Sequence, residues 1–190
     1  MKGAYKKIFL DFFLEIDRRL SAESPAHKCE LYLFGGAAAV LAYGSRRATM
    51  DIDAHIADDR YRELLLDWAG IGGELERRYG LFIHGANTEL MLIETPDWLS
   101  RSKVILRGEF KHLTVKVLSR EDLVLSKLSR YNDRDRSDID VILAGGDVKP
   151  KSLIVRYRSA RRYYAGNTRI LDTTFNIVLK EHFGLGPLKF

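Results

Sequence analysis

Apolar residues recur near the start of the chain at the three- and four-residue spacing of a helix. Ile8, Phe9, Phe12, Phe13, Ile16 and Leu20 share one side, with Lys6, Lys7, Asp11, Asp17 and Arg18 on the other, which predicts an amphipathic helix over about 4–20. After a polar link containing Pro25, the run Glu30-Leu-Tyr-Leu-Phe34 reads as a short buried strand. It stops at Gly35-Gly36 and gives way to the alanine-rich stretch Ala37 to Tyr43, so strand, tight turn and helix follow one another. Gly44 ends that helix. Met50 to Ile56 then alternates polar and apolar residues as a half-buried strand does.

Helical spacing returns between Asp58 and Leu75 through Tyr61, Leu64, Leu65 and Trp68, with Gly70, Gly72 and Gly73 predicting a break. Strand-like runs follow at 81–84, 89–94 and 112–118, and a weaker one at 103–106. Ser119-Arg-Glu-Asp122 reads as a capped helix start, with Ser119 and Asp122 holding first-turn amides. This helix is expected to reach about Tyr131, and a second to run from about Asp135 to Leu143. Beyond Pro150, Leu153, Tyr157, Ala160 and Tyr164 mark another helix, and a last one is expected over about 172–182. The pattern predicts an α/β (α+β) chain, a mixed sheet flanked by helices, organised as a domain over 1–147 and a basic helical C-terminal extension over 148–190.

Composition adds bounds. A chain of 190 residues with 46% hydrophobic and 30% charged content can bury one sizeable core. No apolar run approaches the ~20 residues a membrane span needs, and Asp11, Glu15 and Asp17 fall where a signal peptide is apolar, which predicts a cytoplasmic protein. The single Cys29 has no internal disulfide partner and reads as a structural thiol. The net charge of +5 favours anionic partners. No acidic residue occurs from Val148 to Tyr164, where Lys149, Lys151, Arg156, Arg158, Arg161 and Arg162 crowd together. That stretch is a candidate polyanion contact.

The chemistry centres on Asp51 and Asp53. Successive strand side chains point to opposite faces, so the two carboxylates emerge together while Ile52 turns to the core. Such a pair suits Mg²⁺, which takes oxygen ligands and keeps waters or substrate phosphates in its remaining positions. Taken by itself, Asp-x-Asp reads more readily as two solvated aspartates on an edge strand. The upstream Gly35-Gly36 turn lets backbone approach a ligand, and the helix start behind it favours phosphate. It is neither a Walker loop nor a dinucleotide fingerprint, because no Gly-Lys-Ser/Thr and no third glycine follows. Without a ligand, it is an ordinary tight turn.

Together, Gly35-Gly36 and Arg46-Arg47-Ala-Thr49-Met-Asp51-Ile-Asp53 resemble the Gly-Gly/Ser to Asp-x-Asp signature of the nucleotidyltransferase superfamily. Downstream, Glu121-Asp-Leu-Val-Leu-Ser-Lys127-Leu-Ser-Arg130 and Arg134-Asp135-Arg-Ser-Asp138-Ile resemble the AbiEii-like proteins of abortive-infection and toxin–antitoxin systems. The resemblance spans roughly 31–143. It implies a minimal nucleotidyltransferase fold in which Asp51 and Asp53 hold Mg²⁺ and catalysis positions a nucleoside triphosphate for in-line attack on its α-phosphorus. Gly35, Gly36, Arg46, Arg47, Lys127 and Arg130 would meet the triphosphate or its developing charge, and Thr49 would orient Asp51 or touch phosphate. The resemblance also counts Asp135 among the nucleotide-binding residues; the alternative is structural, with Asp122 as a first-turn cap and Asp135 pairing with Arg130 or Lys127. A third carboxylate from a neighbouring strand falls to Glu89 or Glu94, whose odd spacing lets at most one face the site.

His55, two residues beyond Asp53, is the one histidine that the sequence brings near this site, as a substrate contact or as a histidine satisfied by partners. Trp98 and Arg101, after Pro96, read as packing residues or a base-stacking pair. The implied activity moves a nucleoside monophosphate from a nucleoside triphosphate to an RNA, such as tRNA, or to a protein. It is toxin-like, with an antitoxin as possible partner, and Arg156, Arg158, Arg161 and Arg162 contact RNA. A catalytically degenerate binding module of such a system is the alternative. A small aminoglycoside-like acceptor would call for an acidic pocket, against the basic balance.

Overall fold

The structure is a computed structural model that describes residues 2–23, 28–85 and 95–190. Its first helix, α1 (Lys2–Glu23), buries Phe9, Phe12, Phe13, Ile16 and Leu20 as their spacing predicts. Strand β1 (Cys29–Leu33) leads into α2 (Gly35–Tyr43), and β2 (Asp51–Ile56) follows. The glycine break divides the next helical stretch into α3 (Asp59–Ala69) and α4 (Glu74–Tyr79), ahead of β3 (Phe82–Gly85). The strand expected over 89–94, and with it Glu89 and Glu94, lies outside the described residues. Beyond it come α5 (Trp98–Arg101), β4 (Lys103–Val104), β5 (Leu113–Val117), α6 (Arg120–Ser126), α7 (Asp133–Ala144), α8 (Pro150–Arg161) and α9 (Thr168–Phe183).

The strands form one mixed sheet in the order β3-β2-β1-β5-β4, in which β1 runs antiparallel to β2 and parallel to β5, and β2 runs parallel to β3. Register decides what each face carries. Leu31 opposes Ile56 and Leu33 opposes Ala54, while Cys29, Leu31 and Leu33 align with Leu113, Val115 and Val117. These side chains are all buried, so one face of the sheet is continuously apolar. The alternate positions put Glu30, Tyr32, Asp51, Asp53, His55, His84 and Lys116 on the other face. α1 lies against β5 and α4, and α3 against β3. The Asp17 carboxylate ties α1 to the start of β5 by accepting the backbone N–H groups of Lys111, His112 and Leu113 at 3.2, 2.7 and 2.7 Å.

Three helix boundaries differ from the pattern. α6 stops at Ser126 instead of near Tyr131, because the amides of Lys127 and Leu128 turn to carbonyls three residues back and Tyr131 takes a left-handed φ of 42°. α7 begins at Asp133 because Asn132 and Asp135 form a reciprocal capping box. α9 begins at Thr168 because the Asn167 side chain accepts the amides of Arg169 and Ile170.

The C-terminal helices join the rest through buried charge. The Arg156 side chain is 6% exposed and donates to Asp122, whose side chain is fully buried, and to Asp97 at 2.7 Å. Arg101 reaches the same Asp122 carboxylate at 3.1 Å. Asp122 therefore anchors α8 through its carboxylate, while Ser119 caps the helix with its hydroxyl. This corrects the sequence reading of Arg156 as a surface RNA contact, since its guanidinium is consumed inside the protein. Removing one partner of a buried pair strands the other charge. Asp122→Ala is expected to lower stability by about 3–5 kcal/mol in urea denaturation; a loss below about 1 kcal/mol, the range of surface pairs, would contradict this anchor.

Candidate functional site

The site forms where β1 ends and α2 begins. The amide of Phe34 donates to the carbonyl of Asp53 at 2.9 Å, which brings the start of β2 beside the first turn of α2. Gly35 follows with φ of 54°, a left-handed conformation that glycine adopts without penalty. A Cβ at Gly35 would run into Asp53 Oδ2, and one at Gly36 would run into the Arg47 guanidinium and crowd Thr49. At both glycines the missing side chain leaves room for a polar group to approach, so Asp53, Arg47 and Thr49 meet at one helix start. The N-cap residue Phe34 offers no side-chain acceptor to the first amides of α2. Those donors face a site that a phosphate would suit.

Asp51 is exposed, Ile52 is buried and Asp53 is half-buried, as strand alternation requires. Thr49 Oγ1 donates to Asp51 Oδ1 at 2.5 Å. Across the parallel β2–β3 pair, Asp53 aligns with His84, whose Nδ1 lies 3.3 Å from Asp53 Oδ1. The two oxygens of Asp53 thus have different neighbours, His84 at Oδ1 and Gly35 at Oδ2. Sequence reading had singled out His55 instead. Its ring packs against Trp98 and Tyr32, with centroids 5.4 and 6.1 Å apart, and Trp98 is buried.

Behind the carboxylates lies a buried polar network. Asp138, 1% exposed, accepts Lys127 Nζ at 2.8 Å and Ser45 Oγ at 3.1 Å, and Arg47 Nη2 stands 3.5 Å away. Lys127 is itself buried and lies 3.6 Å from Asp135. Arg130 grips Asp135 with two hydrogen bonds of 2.8 Å, the pairing expected for it, while its own side chain stays largely exposed. That grip raises the Arg130 pKa, and the nearby Asp53 and Asp51 charges raise it further, so the guanidinium stands within the field of the carboxylate pair. Burial would push Asp135 up, but Arg130 and Lys127 hold it below its ordinary value. Arg46 is exposed. Among the described residues Arg47 Nε is a buried donor with no partner, next to Gly36.

A divalent cation fits this donor set. Asp51 and Asp53 present hard oxygen ligands on one open face, and a side chain at Gly35 would block Asp53. Among the described residues, no three His, Cys, Asp or Glu side chains stand together as a closed metal cluster. With two carboxylates, the pair would leave the remaining positions of such a cation to waters or phosphate oxygens.

Comparison with protein families matches residues 11–167 to the family described as nucleotidyltransferase of unknown function (DUF6036). No curated protein and no solved structure matches the chain. No helix among the described residues is long and apolar enough to cross a membrane.

The two glycines with left-handed backbone at the ends of α2 give a controlled test of the close approach. At Gly44, φ is 84° and a Cβ would meet nothing. Gly44→Ala should cost only the backbone penalty of about 1–2 kcal/mol. Gly35→Ala should cost measurably more in urea denaturation, and the excess should vanish when Asp53 is also alanine; equal costs at both glycines would contradict the contact.

Proposed function

The chain belongs to that nucleotidyltransferase family, and we propose that it is a Mg²⁺-dependent enzyme that moves a nucleoside monophosphate from a nucleoside triphosphate to an RNA, such as tRNA, or to a protein side chain. The observation that carries this reading is the seating of Asp53 against Gly35, which sets a carboxylate pair beside the open amides of α2. Its similarity to AbiEii-like proteins in Lys127, Arg130, Asp135 and Asp138 supports a toxin-like member working with a cognate antitoxin.

Each residue then has a task. Asp51 and Asp53 hold the metal, with Thr49 and His84 fixing the carboxylates from opposite sides. When bound, Mg²⁺ neutralises phosphate charge and supplies electrophilic assistance at the transferring group. The Gly35 and Gly36 amides and the Arg47 guanidinium take phosphate oxygens, with the unsatisfied Nε of Arg47 as a further donor. Arg130, held by Asp135 and exposed within the field of the carboxylates, adds positive charge at the rim. Lys127, enclosed by Asp138 and Asp135, acts as a support that holds the Arg47 side of the site in place. An acceptor hydroxyl oxygen forms a bond to the α-phosphorus, the α–β bridging P–O bond breaks, pyrophosphate leaves, and the hydroxyl proton passes to water. Most of the rate comes from positioning and charge neutralisation.

Incubating the protein with each labelled nucleoside triphosphate, Mg²⁺ and total RNA tests this. The wild type is expected to transfer label to RNA or protein, and Asp51→Asn and Asp53→Asn to lose at least about 100-fold in rate while melting near the wild-type temperature. Transfer that survives in both variants would overturn the site assignment.

A further inference from the structure

Away from the carboxylates, the last turns of α8 and residues 189–190 border an open depression of about 310 Å³, lined by Arg158, Arg161, Arg162, Lys189 and Phe190. Four of its five lining residues are cations. Arg161 is committed to Asp172 through hydrogen bonds of 2.7 and 2.9 Å. Among the described residues, Arg158, Arg162 and Lys189 have no carboxylate partner. The stretch from Val148 to Tyr164 contributes no acid, and Asp172 from α9 is paired with Arg161, so a positive excess remains at this face.

The wall is built rather than loose. Asn176 clasps the backbone of Leu188 on both sides, accepting its amide at 2.9 Å and donating to its carbonyl at 3.1 Å. That clasp sets Lys189 and Phe190 in place. The Phe190 ring packs edge-on to buried Tyr157 with centroids 4.7 Å apart, and the Arg158 guanidinium lies 5.8 Å over the same ring. On α8, Lys151, Val155, Arg158 and Arg162 fall on one exposed face at i, i+4, i+7 and i+11. This cationic stripe runs roughly 16 Å at about 1.5 Å per residue, long enough to meet more than one phosphate of a strand.

The geometry points to a seat for single-stranded RNA, whose phosphates meet Arg158, Arg162 and Lys189 while the Phe190 ring and the Arg158 plane offer a stacking surface. Arginine favours this occupant, since its planar fork matches phosphate and its face stacks on rings and bases. A free nucleotide would fill the depression but leave the rest of the stripe unused. The inference deepens the reading of RNA as acceptor and rests on it, placing acceptor binding on the C-terminal helices and nucleotide chemistry at Asp51 and Asp53.

The test uses the full-length Asp53→Asn protein without nucleoside triphosphate, so that catalysis cannot contribute. Binding of a fluorescent single-stranded RNA is followed by anisotropy at several salt concentrations. Arg158→Glu combined with Arg162→Glu is expected to weaken binding at least about ten-fold and to flatten the salt slope by about 1.4, the share of two phosphate contacts on a single strand. Lys189→Glu, at an exposed tail position, should weaken it in the same direction, and Arg107→Glu, outside the pocket, should not beyond the general charge effect. Unchanged affinity in the folded double variant would overturn the proposal. So would tighter binding of the same-sequence DNA, or equal competition by polyglutamate. RNA binding that holds while transfer fails would refute the catalytic reading alone.

Discussion

The hydrogen bond from the Phe34 amide to the Asp53 carbonyl is the constraint on which the site depends. It continues the β1–β2 ladder one step beyond β1, at the residue where the chain turns into α2. The pleat of β2 then does the rest. Because Ile52 must go to the core, Asp51 and Asp53 must go to the open face, and the helix that begins at Gly35 must start against Asp53. A side chain at either glycine would displace the Asp53 carboxylate or the Arg47 guanidinium from the start of α2. Carboxylates, helix amides and the Arg47 guanidinium are thereby brought together by backbone geometry, without a long loop to hold them.

Charge buried away from solvent supports this arrangement. Asp138 gathers Ser45, Lys127 and Arg47, linking α7 to the segment between α2 and β2. Asp122 gathers Arg101 and Arg156, linking α6 to α5 and α8. Both carboxylates are sequestered, and each is matched by more than one cationic or hydroxyl donor, as a buried carboxylate requires. Neither network would be worth much as a simple stability device, since buried pairs barely recover their desolvation cost. Their effect is geometric: they hold the helices that frame the site in one arrangement.

The features readable from the chain were the local ones. Strand alternation alone puts Asp51 and Asp53 together, and the Gly35-Gly36 turn lies within the same short stretch. The mixed sheet followed from the order of strand and helix patterns along the chain, and the break at Gly70–Gly73 and the helix end at Gly44 from a few neighbouring residues. What escaped depends on partners distant in sequence. His84 meets Asp53 only because β3 pairs parallel to β2 in a particular register, which no periodicity reveals, so His55 looked closer. Arg156 read as surface charge because its partners Asp97 and Asp122 lie 59 and 34 residues away. Lys127 kept helical company with Arg130 in the pattern, but α6 ends first and the lysine turns inward to Asp138. Asn132 and Asn167 are local signals for the starts of α7 and α9, since Asn is a favoured N-cap.

The most direct measurement uses Mn²⁺ as a paramagnetic stand-in for Mg²⁺, with free and bound ion distinguished by electron paramagnetic resonance in the presence of a nucleoside triphosphate analogue that cannot be hydrolysed. The account predicts protein-dependent binding of Mn²⁺ with nucleotide in the wild type, and its loss to the level of nucleotide alone in folded Asp51→Asn and Asp53→Asn. Binding that is the same in all three proteins would contradict it.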